Sequence, residues 1–166
     1  MKNQKLYEGI FLKRKAFKKN QFYYYIKTPK ISIIIPKIKD KYLVISQNRI
    51  PINKITYEFP GGIVDKGQTI LQTALKELRE ETGYCSTKKP VKLISFYADP
   101  GRLNCSYNCY FTNKIKKIGL PENGVKIHLL NKSKILNLIK QKKFSHSCHI
   151  AGFLFLLNQK RYLSDK

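Results

Sequence analysis

Residues 62–84 read GIVDKGQTILQTALKELREETGY, and this stretch decides the fold. Its second half places Glu77, Glu80 and Glu81 within about one turn of a predicted helix, next to a loop punctuated by glycines. Like charges at this spacing repel each other. A positive partner is therefore expected, and a divalent cation that prefers oxygen ligands fits best. The alternative is an ordinary solvated face, neutralised by neighbouring basic residues.

Independent signals predict that helix. Thr69 and Gln72 form a capping box at its start, and Gly83 stands where a left-handed C-terminal cap is expected. Apolar residues recur between them at helical spacing and predict one buried stripe: Ile70, Leu71, Ala74, Leu75 and Leu78. Glu77 and Glu81 project from a face that borders this stripe. We therefore expect the carboxylates at the margin of a core rather than in open solvent.

The stretch resembles the Nudix box, whose pattern is Gly, five residues, Glu, seven residues, Arg-Glu, an aliphatic residue, any residue, Glu-Glu, any residue, Gly and an apolar residue. Gly62 matches the first position, and residues 77–84 match the whole second half. Two positions depart, because Gln68 replaces the first Glu and Lys76 replaces the Arg. The family commonly joins these positions in an ion pair. Here we expect a weaker Gln68–Lys76 hydrogen bond, which affects catalytic rate more than metal binding.

Three flanking motifs narrow the resemblance. A Gln-x-Arg motif ends a predicted strand at Arg49, a Glu-Phe-Pro-Gly-Gly motif begins at Glu58, and an Asp-Pro-Gly turn occupies residues 99–101. Together they resemble the ADP-ribose pyrophosphatase branch of the Nudix hydrolases, over roughly residues 32–157. The resemblance implies these substrate-binding residues: Arg49, Glu58, Asp99 and Gly101. The alternative for Arg49 is a surface arginine, but its position at the strand end favours a phosphate contact. The alternative for residues 99–101 is a plain turn.

Cleavage of a pyrophosphate bond explains why carboxylates gather here. The negative oxygens of the substrate repel an attacking water, and bound Mg²⁺ neutralises them and lowers the pKa of a water ligand. The resemblance implies Mg²⁺, with Mn²⁺ as an alternative, on four ligands: the Gly61 carbonyl, Glu77, Glu80 and Glu81, the last two also being catalytic. In this branch a later Glu often activates the water. Glu122 is the only acidic residue between Asp99 and Asp165 and is the candidate; its alternative is a turn residue.

The chain is strongly basic, with 33 Lys and Arg against 10 Asp and Glu and a net charge of +23. Such an excess predicts weak, nonspecific nucleic-acid binding at low salt and attraction of a negatively charged nucleotide substrate. Most of the charge is Lys spread along the chain, which favours solvated faces over a designed patch. An adenine ring would need an aromatic partner, and the run Tyr23-Tyr24-Tyr25 offers candidates. A strand with ordinary alternation is the favoured explanation of this run.

Cysteine usage and hydropathy predict a cytoplasmic protein without a membrane segment. The four cysteines form no Cys-x-x-Cys pair, and reduced thiols fit better than a zinc site of Cys148 with His146 and His149. No signal peptide is apparent. The apolar run 150–157 is too short to cross a bilayer.

The predicted fold is α+β, a Nudix-type α/β/α sandwich around a mixed sheet with a small N-terminal β extension. Residues 1–30 form the extension, read as two strands, and residues 31–166 form the hydrolase domain. Core strands are predicted at 31–36, 42–46, 55–64, 91–97, 105–112 and 125–130. Helices are predicted from Ser133 to Lys142, and from Ser145 or Ser147 to about Gln159. By resemblance, the extension helps to form a homodimer and contributes to the substrate site.

The function expected from these residues is Mg²⁺-dependent hydrolysis of a nucleoside diphosphate linked to a sugar, ADP-ribose giving AMP and ribose 5-phosphate. One alternative is another Nudix substrate, such as a different nucleotide sugar, a dinucleotide cofactor or an RNA cap. A second is a non-catalytic nucleotide or RNA sensor. The Gln68 and Lys76 departures favour the sensor, whereas the intact Glu77, Glu80 and Glu81 argue against it.

Overall fold

The computed structural model describes residues 4–7, 9–19 and 21–159. Within these ranges the chain forms thirteen strands and three α-helices. The strands are β1 (Gln4–Tyr7), β2 (Ile10–Lys18), β3 (Gln21–Lys27), β4 (Ile31–Ile38), β5 (Lys41–Arg49), β6 (Lys54–Glu58), β7 (Gly61–Ile63), β8 (Tyr84–Ser86), β9 (Val91–Tyr97), β10 (Leu103–Asn104), β11 (Ser106–Thr112), β12 (Ile115–Lys117) and β13 (Lys126–Asn131). The helices are α1 (Ile70–Thr82), α2 (Lys132–Lys140) and α3 (Ser147–Leu157).

A seven-stranded mixed sheet forms the centre of the protein, in the order β13-β5-β4-β11-β9, with β6 paired to β5 and β7 paired to β4. β4 runs parallel to β11, and the other pairs are antiparallel. Ile33, Ile34 and Ile35 are all fully buried. Because alternate side chains point to opposite faces, both faces of β4 must be covered.

The helices cover the two faces of the sheet. On one face, Ala74 and Leu78 of α1 pack with Ile34. On the other, residues of α2 and α3 such as Ile135 and Phe153 belong to the larger core cluster. The α/β/α sandwich expected from the sequence is therefore confirmed.

The N-terminal β extension is a second sheet, in the order β1-β2-β3-β10. The sequence predicted two strands before residue 28, and the structure has three, because β1 pairs antiparallel with β2. β10 joins the edge of β3 in parallel. This sheet therefore contacts the loop that follows β9.

The strand predicted over 55–64 is wrong as one element. It is divided at Phe59 and Pro60, since β6 pairs with β5 whereas β7 pairs with β4. Proline has no N–H to donate to a ladder. The division turns the chain between two partner strands and places Gly61 beside α1.

The caps predicted for the last two helices are also wrong. Asn131 caps α2, with its Oδ1 accepting from Lys134 N at 2.9 Å, and Ser133 donates to that same oxygen. α3 begins after His146 rather than after a serine cap.

The four cysteines are free thiols, and three of them are buried. None of the helices in the described ranges combines the length and the apolar character needed to cross a bilayer.

Candidate active site

Both ends of α1 are fixed as the sequence predicts. Thr69 Oγ1 accepts from Gln72 N at 3.2 Å, and Gln72 Oε1 accepts from Thr69 N at 2.8 Å. Gly83 has φ 69° and donates its N–H to Arg79 O at 2.8 Å. A Cβ on Gly83 would lie 2.4 Å from the Gly119 carbonyl oxygen. These contacts fix the rotation of α1, and with it the direction in which its carboxylates point.

Glu81 is a buried carboxylate, with 7% of its surface exposed. Its Oε2 accepts from Gly61 N at 2.9 Å, and its Oε1 accepts a longer bond from Gln47 Nε2 at 3.4 Å. Burial raises the pKa of Glu81 to about 7 although the Gly61 N–H opposes the rise, and the charge of Glu77 adds to it. A nearby cation would favour the ionised form. Sequence reasoning missed Gln47, because only the arginine of its Gln-x-Arg motif received a role.

Glu77 and Glu80 lie in different surroundings. A Cβ on Gly62 would lie 2.4 Å from Glu77 Oε1, so the missing side chain lets this carboxylate rest against the loop. Burial raises the pKa of Glu77 despite the ammonium of Lys76. The Glu80 side chain is 44% exposed, with Oε2 3.9 Å from Lys76 Nζ. Glu77 therefore lies inside the site, whereas Glu80 lies at its outer edge.

The peptide of Gly61 points towards α1. Ile34 N donates to Pro60 O at 2.9 Å, and the next pair in this antiparallel ladder is Ile33 opposite Gly61. Hydrogen-bonded and non-hydrogen-bonded pairs alternate, so the N–H and carbonyl of Gly61 both face away from β4. The N–H is held by Glu81, and the carbonyl is directed to the same edge of β7.

The donor set fits a hard divalent cation. No group of three His, Cys, Asp or Glu side chains within the described ranges forms a ready-made metal cluster. The fit therefore depends on the chemistry of the donors: two shielded carboxylates one turn apart, Glu77 and Glu81, and one carbonyl, from Gly61. Mg²⁺ takes such oxygen ligands, needs few of them from the protein and keeps several waters.

The loop that carries Glu122 lies against the C-terminal end of α1. Glu122 N donates to Glu80 O at 2.9 Å, and Val125 N donates to Glu122 O at 3.2 Å. The Glu122 side chain is exposed. Its charge is among the smaller causes, after burial, that raise the pKa of Glu77. The structure thus brings Glu122 beside the α1 carboxylates from a separate part of the chain.

The buried carboxylate of Glu58 forms an ion pair with the partly exposed Arg49. Arg49 Nε donates to Glu58 Oε1 at 2.9 Å, its second nitrogen donates to Glu58 Oε2, and Thr56 also donates to Oε1. Burial opposes the charge on Glu58, but Arg49, His149 and Thr56 lower the pKa of Glu58 to about 2. Both Glu58 oxygens are engaged, so Glu58 holds Arg49 in place. Arg49 keeps a 40% exposed side chain for a ligand.

A pocket of about 440 Å³ opens beside Gly61 and Gly62. Its polar lining includes Arg49 and Glu58, and Ile31, Pro51, Ile52 and Ile63 form an apolar wall. The lining also includes Ser145, His146 and His149, which lie just before and within the first turn of α3. The position next to the box loop makes this pocket the candidate substrate site.

The two histidines of this pocket were weighed in the sequence only as zinc ligands. His149 is buried, and its Nδ1 accepts from Phe59 N at 3.0 Å. Burial, with the neighbouring His146, lowers the pKa of His149 to about 3. His149 therefore anchors the chain just before Gly61. No local pattern indicates this, because the bond joins residues 90 positions apart.

Asp99 and Gly101 are not among the residues that line the pocket beside Arg49. Asp99 Oδ1 accepts from Gly101 N at 3.1 Å, and Tyr23 donates its hydroxyl to Gly101 O. Tyr23 also lines a separate pocket of about 290 Å³ with Tyr25, Tyr97, Pro100, Leu103 and Asn104. The turn thus links the β1-β2-β3-β10 sheet to the end of β9.

The expected Gln68–Lys76 hydrogen bond is wrong. Lys76 Nζ donates to Asp65 Oδ2 at 2.9 Å, and Gln68 Oε1 accepts from Thr73 at 3.1 Å. Because Asp65 lies in the loop and supplies the charge that Gln68 lacks, Lys76 has an anionic partner nearby. The loop is still tied to α1, through two separate contacts.

The NUDIX domain profile matches residues 27–124 of the chain. This segment covers more than half of the chain and contains the box helix, both loop glycines and the Arg49–Glu58 pair. The chain belongs to the NUDIX family.

Several curated proteins are similar to the chain. An ADP-ribose pyrophosphatase of Bacillus subtilis is 37% identical over 71 residues, which are 43% of this chain and 38% of that protein. An ADP-ribose pyrophosphatase of Saccharomyces cerevisiae is 39% identical over 84 residues, 51% of this chain and 35% of that protein. The methanol dehydrogenase activator of Bacillus methanolicus is 30% identical over 131 residues, 76% of this chain and 70% of that protein. The chain thus spans well under half the length of the two pyrophosphatases.

A solved structure has the same fold. The crystal structure of an ADP compounds hydrolase matches with a TM-score of 0.77 and covers 93% of this chain and 87% of that chain, at 14% sequence identity. The Nudix fold expected from the sequence is therefore confirmed.

Proposed function

We propose that this chain is a divalent-metal-dependent pyrophosphohydrolase of nucleoside diphosphates linked to a sugar, with ADP-ribose as substrate and AMP and ribose 5-phosphate as products. One observation carries the proposal. The buried Glu81 is bonded to Gly61 N at 2.9 Å, and Glu77 lies against Gly62. Shielded carboxylates beside a glycine loop do not stabilise the fold by themselves, because like charges repel. They are well placed to bind a cation and, through it, a phosphate group.

Mg²⁺ or Mn²⁺ would be held by Glu77, Glu81 and the Gly61 carbonyl. Glu80 lies at the outer edge and would contact the ion through water. When bound, the ion neutralises phosphate oxygens and acidifies a water. Arg49 binds a phosphate oxygen through the exposed part of its guanidinium, because Glu58 fixes its other nitrogens. Two parallel bonds to one carboxylate leave the guanidinium a single orientation.

Glu122 is the proposed general base. Its carboxylate takes a proton from the attacking water, whose oxygen forms a bond to phosphorus. The bond from that phosphorus to the bridging oxygen breaks, and the bridging oxygen leaves on the other phosphate. Water is thereby divided between the products AMP and ribose 5-phosphate. The backbone of Glu122 is bonded to Glu80 O at 2.9 Å, which keeps the exposed carboxylate beside the metal-binding end of α1.

The proposed assembly is a homodimer. Phe22, Tyr23 and Tyr24 of β3 are each about half exposed, and a second copy would cover part of this sheet. Asp99 and Gly101, bound to the same sheet through Tyr23, would then contact substrate across the interface. Sedimentation equilibrium that returns the mass of one 19.4 kDa chain would exclude the dimer.

A substrate panel tests the reaction. Turnover is measured with and without Mg²⁺ on ADP-ribose, GDP-mannose, NADH, diadenosine polyphosphates and capped RNA, with phosphatase release of phosphate from the monoester products. Metal-dependent cleavage of ADP-ribose above the others supports the proposal. Cleavage of another member keeps the chemistry and changes the substrate. Nucleotide binding without any cleavage would make the chain a sensor.

A further inference from the structure

His146 lines the pocket without a capping role for its side chain. It occupies the N-cap of α3 with φ −70° and ψ 107°, yet its side chain makes no capping hydrogen bond. Its backbone carbonyl alone accepts from His149 N and Ile150 N, each at 3.1 Å. The start of the helix therefore depends on the backbone of this residue and not on its imidazole.

The imidazole nonetheless packs against two neighbouring rings. Its ring centroid lies 4.2 Å from that of His149 and 5.8 Å from that of Tyr107. Tyr107 is in turn stacked on Phe96, with 3° between the ring planes. A ring packed between aromatic neighbours is pre-oriented, which lowers the entropy lost when it binds a ligand.

The surroundings of His146 select one protonation form. Its Nδ1 is buried and has no hydrogen-bond partner among the residues that the structure describes. Burial lowers the pKa of His146, which favours the neutral ring. A neutral imidazole carries its proton on one nitrogen only. A proton on Nδ1 would leave a buried N–H without an acceptor, and unpaired buried donors are rarer than unpaired buried acceptors. The proton is therefore assigned to Nε2.

The polar groups of the pocket are mostly donors. His149 accepts with Nδ1 and therefore carries its own proton on Nε2. Arg49 is a cationic donor, and both oxygens of Glu58 are already bonded. The same pocket has an apolar lining that includes Pro51 and Ile52. Neutral donors and aliphatic carbon in one pocket suit a sugar ring, whose hydroxyl oxygens accept hydrogen bonds and whose C–H face packs on aliphatic carbon.

We propose that His146 is a specificity-determining residue that donates from Nε2 to a ring hydroxyl of the ribosyl group attached to the diphosphate. The proposal rests on the proposed function in one respect: the diphosphate is taken to lie at Gly61 and Gly62, so its ribosyl neighbour enters the adjoining pocket. His146 thereby selects ribosyl phosphates with an intact hydroxyl over deoxy analogues.

The test measures binding and not turnover. Calorimetry with the full chain uses AMP and ribose 5-phosphate, each compared with its 2-deoxy and 3-deoxy analogues. AMP or ribose 5-phosphate is expected to bind about two- to tenfold more tightly than the deoxy analogue that lacks the contacted hydroxyl. This ratio corresponds to the net free energy of one hydrogen bond. In His146→Phe, which keeps an aromatic ring against Tyr107 and His149, this preference falls to about one. The analogue itself binds equally to both proteins.

A second variant separates direct contact from packing. The side-chain nitrogen of His146→Gln lies as many bonds from Cβ as Nε2 does, so this variant is expected to retain part of the preference, whereas His146→Leu is not. The proposal is overturned if the wild type binds neither parent, if it binds parents and analogues alike, or if His146→Phe weakens all phosphorylated probes equally. The last result would make His146 a phosphate contact. Failure of the proposed function appears separately, as a lack of ADP-ribose cleavage.

Discussion

The bond from Phe59 N to His149 makes a sharp prediction about stability and pH. His149→Leu leaves a buried N–H without an acceptor, which costs about 1–3 kcal/mol of unfolding free energy. His149→Asn places an oxygen as many bonds from Cβ as Nδ1, so it keeps the acceptor and removes the titrating ring. At pH 7 we therefore expect the Leu variant to lose clearly more stability than the Asn variant.

The same bond fixes the sign of the pH dependence. The pKa of His149 is lowered to about 3 in the folded protein, whereas the unfolded chain takes up the proton near the ordinary value of about 6.5. Stability from this residue is therefore complete above that value and is lost as the pH falls. Between pH 7 and pH 5 the loss is about 2 kcal/mol. Glu58, with a pKa of about 2, stays ionised across this window. Glu81, with a pKa of about 7, titrates in it, but it is present in every variant compared and its contribution cancels.

The assay is urea unfolding of the wild type, His149→Asn and His149→Leu at pH 7 and pH 5, with midpoint and slope compared. The wild type is expected to lose about 2 kcal/mol more than His149→Asn on acidification. Equal losses in these two proteins would refute the assignment of the proton. Equal stability of the Asn and Leu variants at pH 7 would refute the role of the Phe59 bond.

Three further predictions concern the site. Glu81→Gln keeps an oxygen for Gly61 N but removes the charge, so metal-dependent turnover should disappear. Because burial raises the pKa of Glu81 to about 7, removing this charge should not lower the unfolding midpoint at pH 7. Retained turnover would contradict the metal assignment. Gly62→Ala places a methyl group 2.4 Å from Glu77 Oε1. The displaced carboxylate is expected to lower kcat on the order of 100-fold. Gly119→Ala, where an added Cβ meets nothing within 4 Å, is the control and should match the wild type. Arg49→Met leaves the buried Glu58 unpaired and should lower the free energy of unfolding by about 3–5 kcal/mol, as measured with denaturant. The Arg49→Met, Glu58→Gln double variant should recover most of this loss. A double variant no more stable than the single one would contradict the role of the ion pair.

Local signals in the sequence predicted local structure well. The capping box at Thr69, the left-handed Gly83 and the apolar stripe of α1 all act within a few residues, and each is confirmed. The same helical geometry predicted carboxylates at the margin of the core, where Glu77 and Glu81 lie. These features could be read because helix start, face and end are encoded by neighbours along the chain.

Features that depend on distant partners were missed. The break at Pro60 arises because β6 and β7 pair with different strands, and the sequence of residues 55–64 does not indicate which strands those are. Lys76 donates a hydrogen bond to Asp65 instead of Gln68. The conformation of the loop, and not the spacing in the sequence, decides which oxygen lies near the ammonium group. His149 acts on Phe59 from α3, and no periodicity reports that contact.

The position of α3 has a consequence for synthesis of the protein on the ribosome. β4 needs β11 as its parallel neighbour, with Ile33 opposite Cys109, and Phe59 needs the acceptor that His149 supplies. Long-range pairings of this kind form slowly, and only once both partners have left the exit tunnel. A nascent chain that stops before α3 contains the whole box but lacks the acceptor for Phe59 N. Such truncated chains are expected to lack a fixed glycine loop, so the proposed activity would require α3 as well as the box.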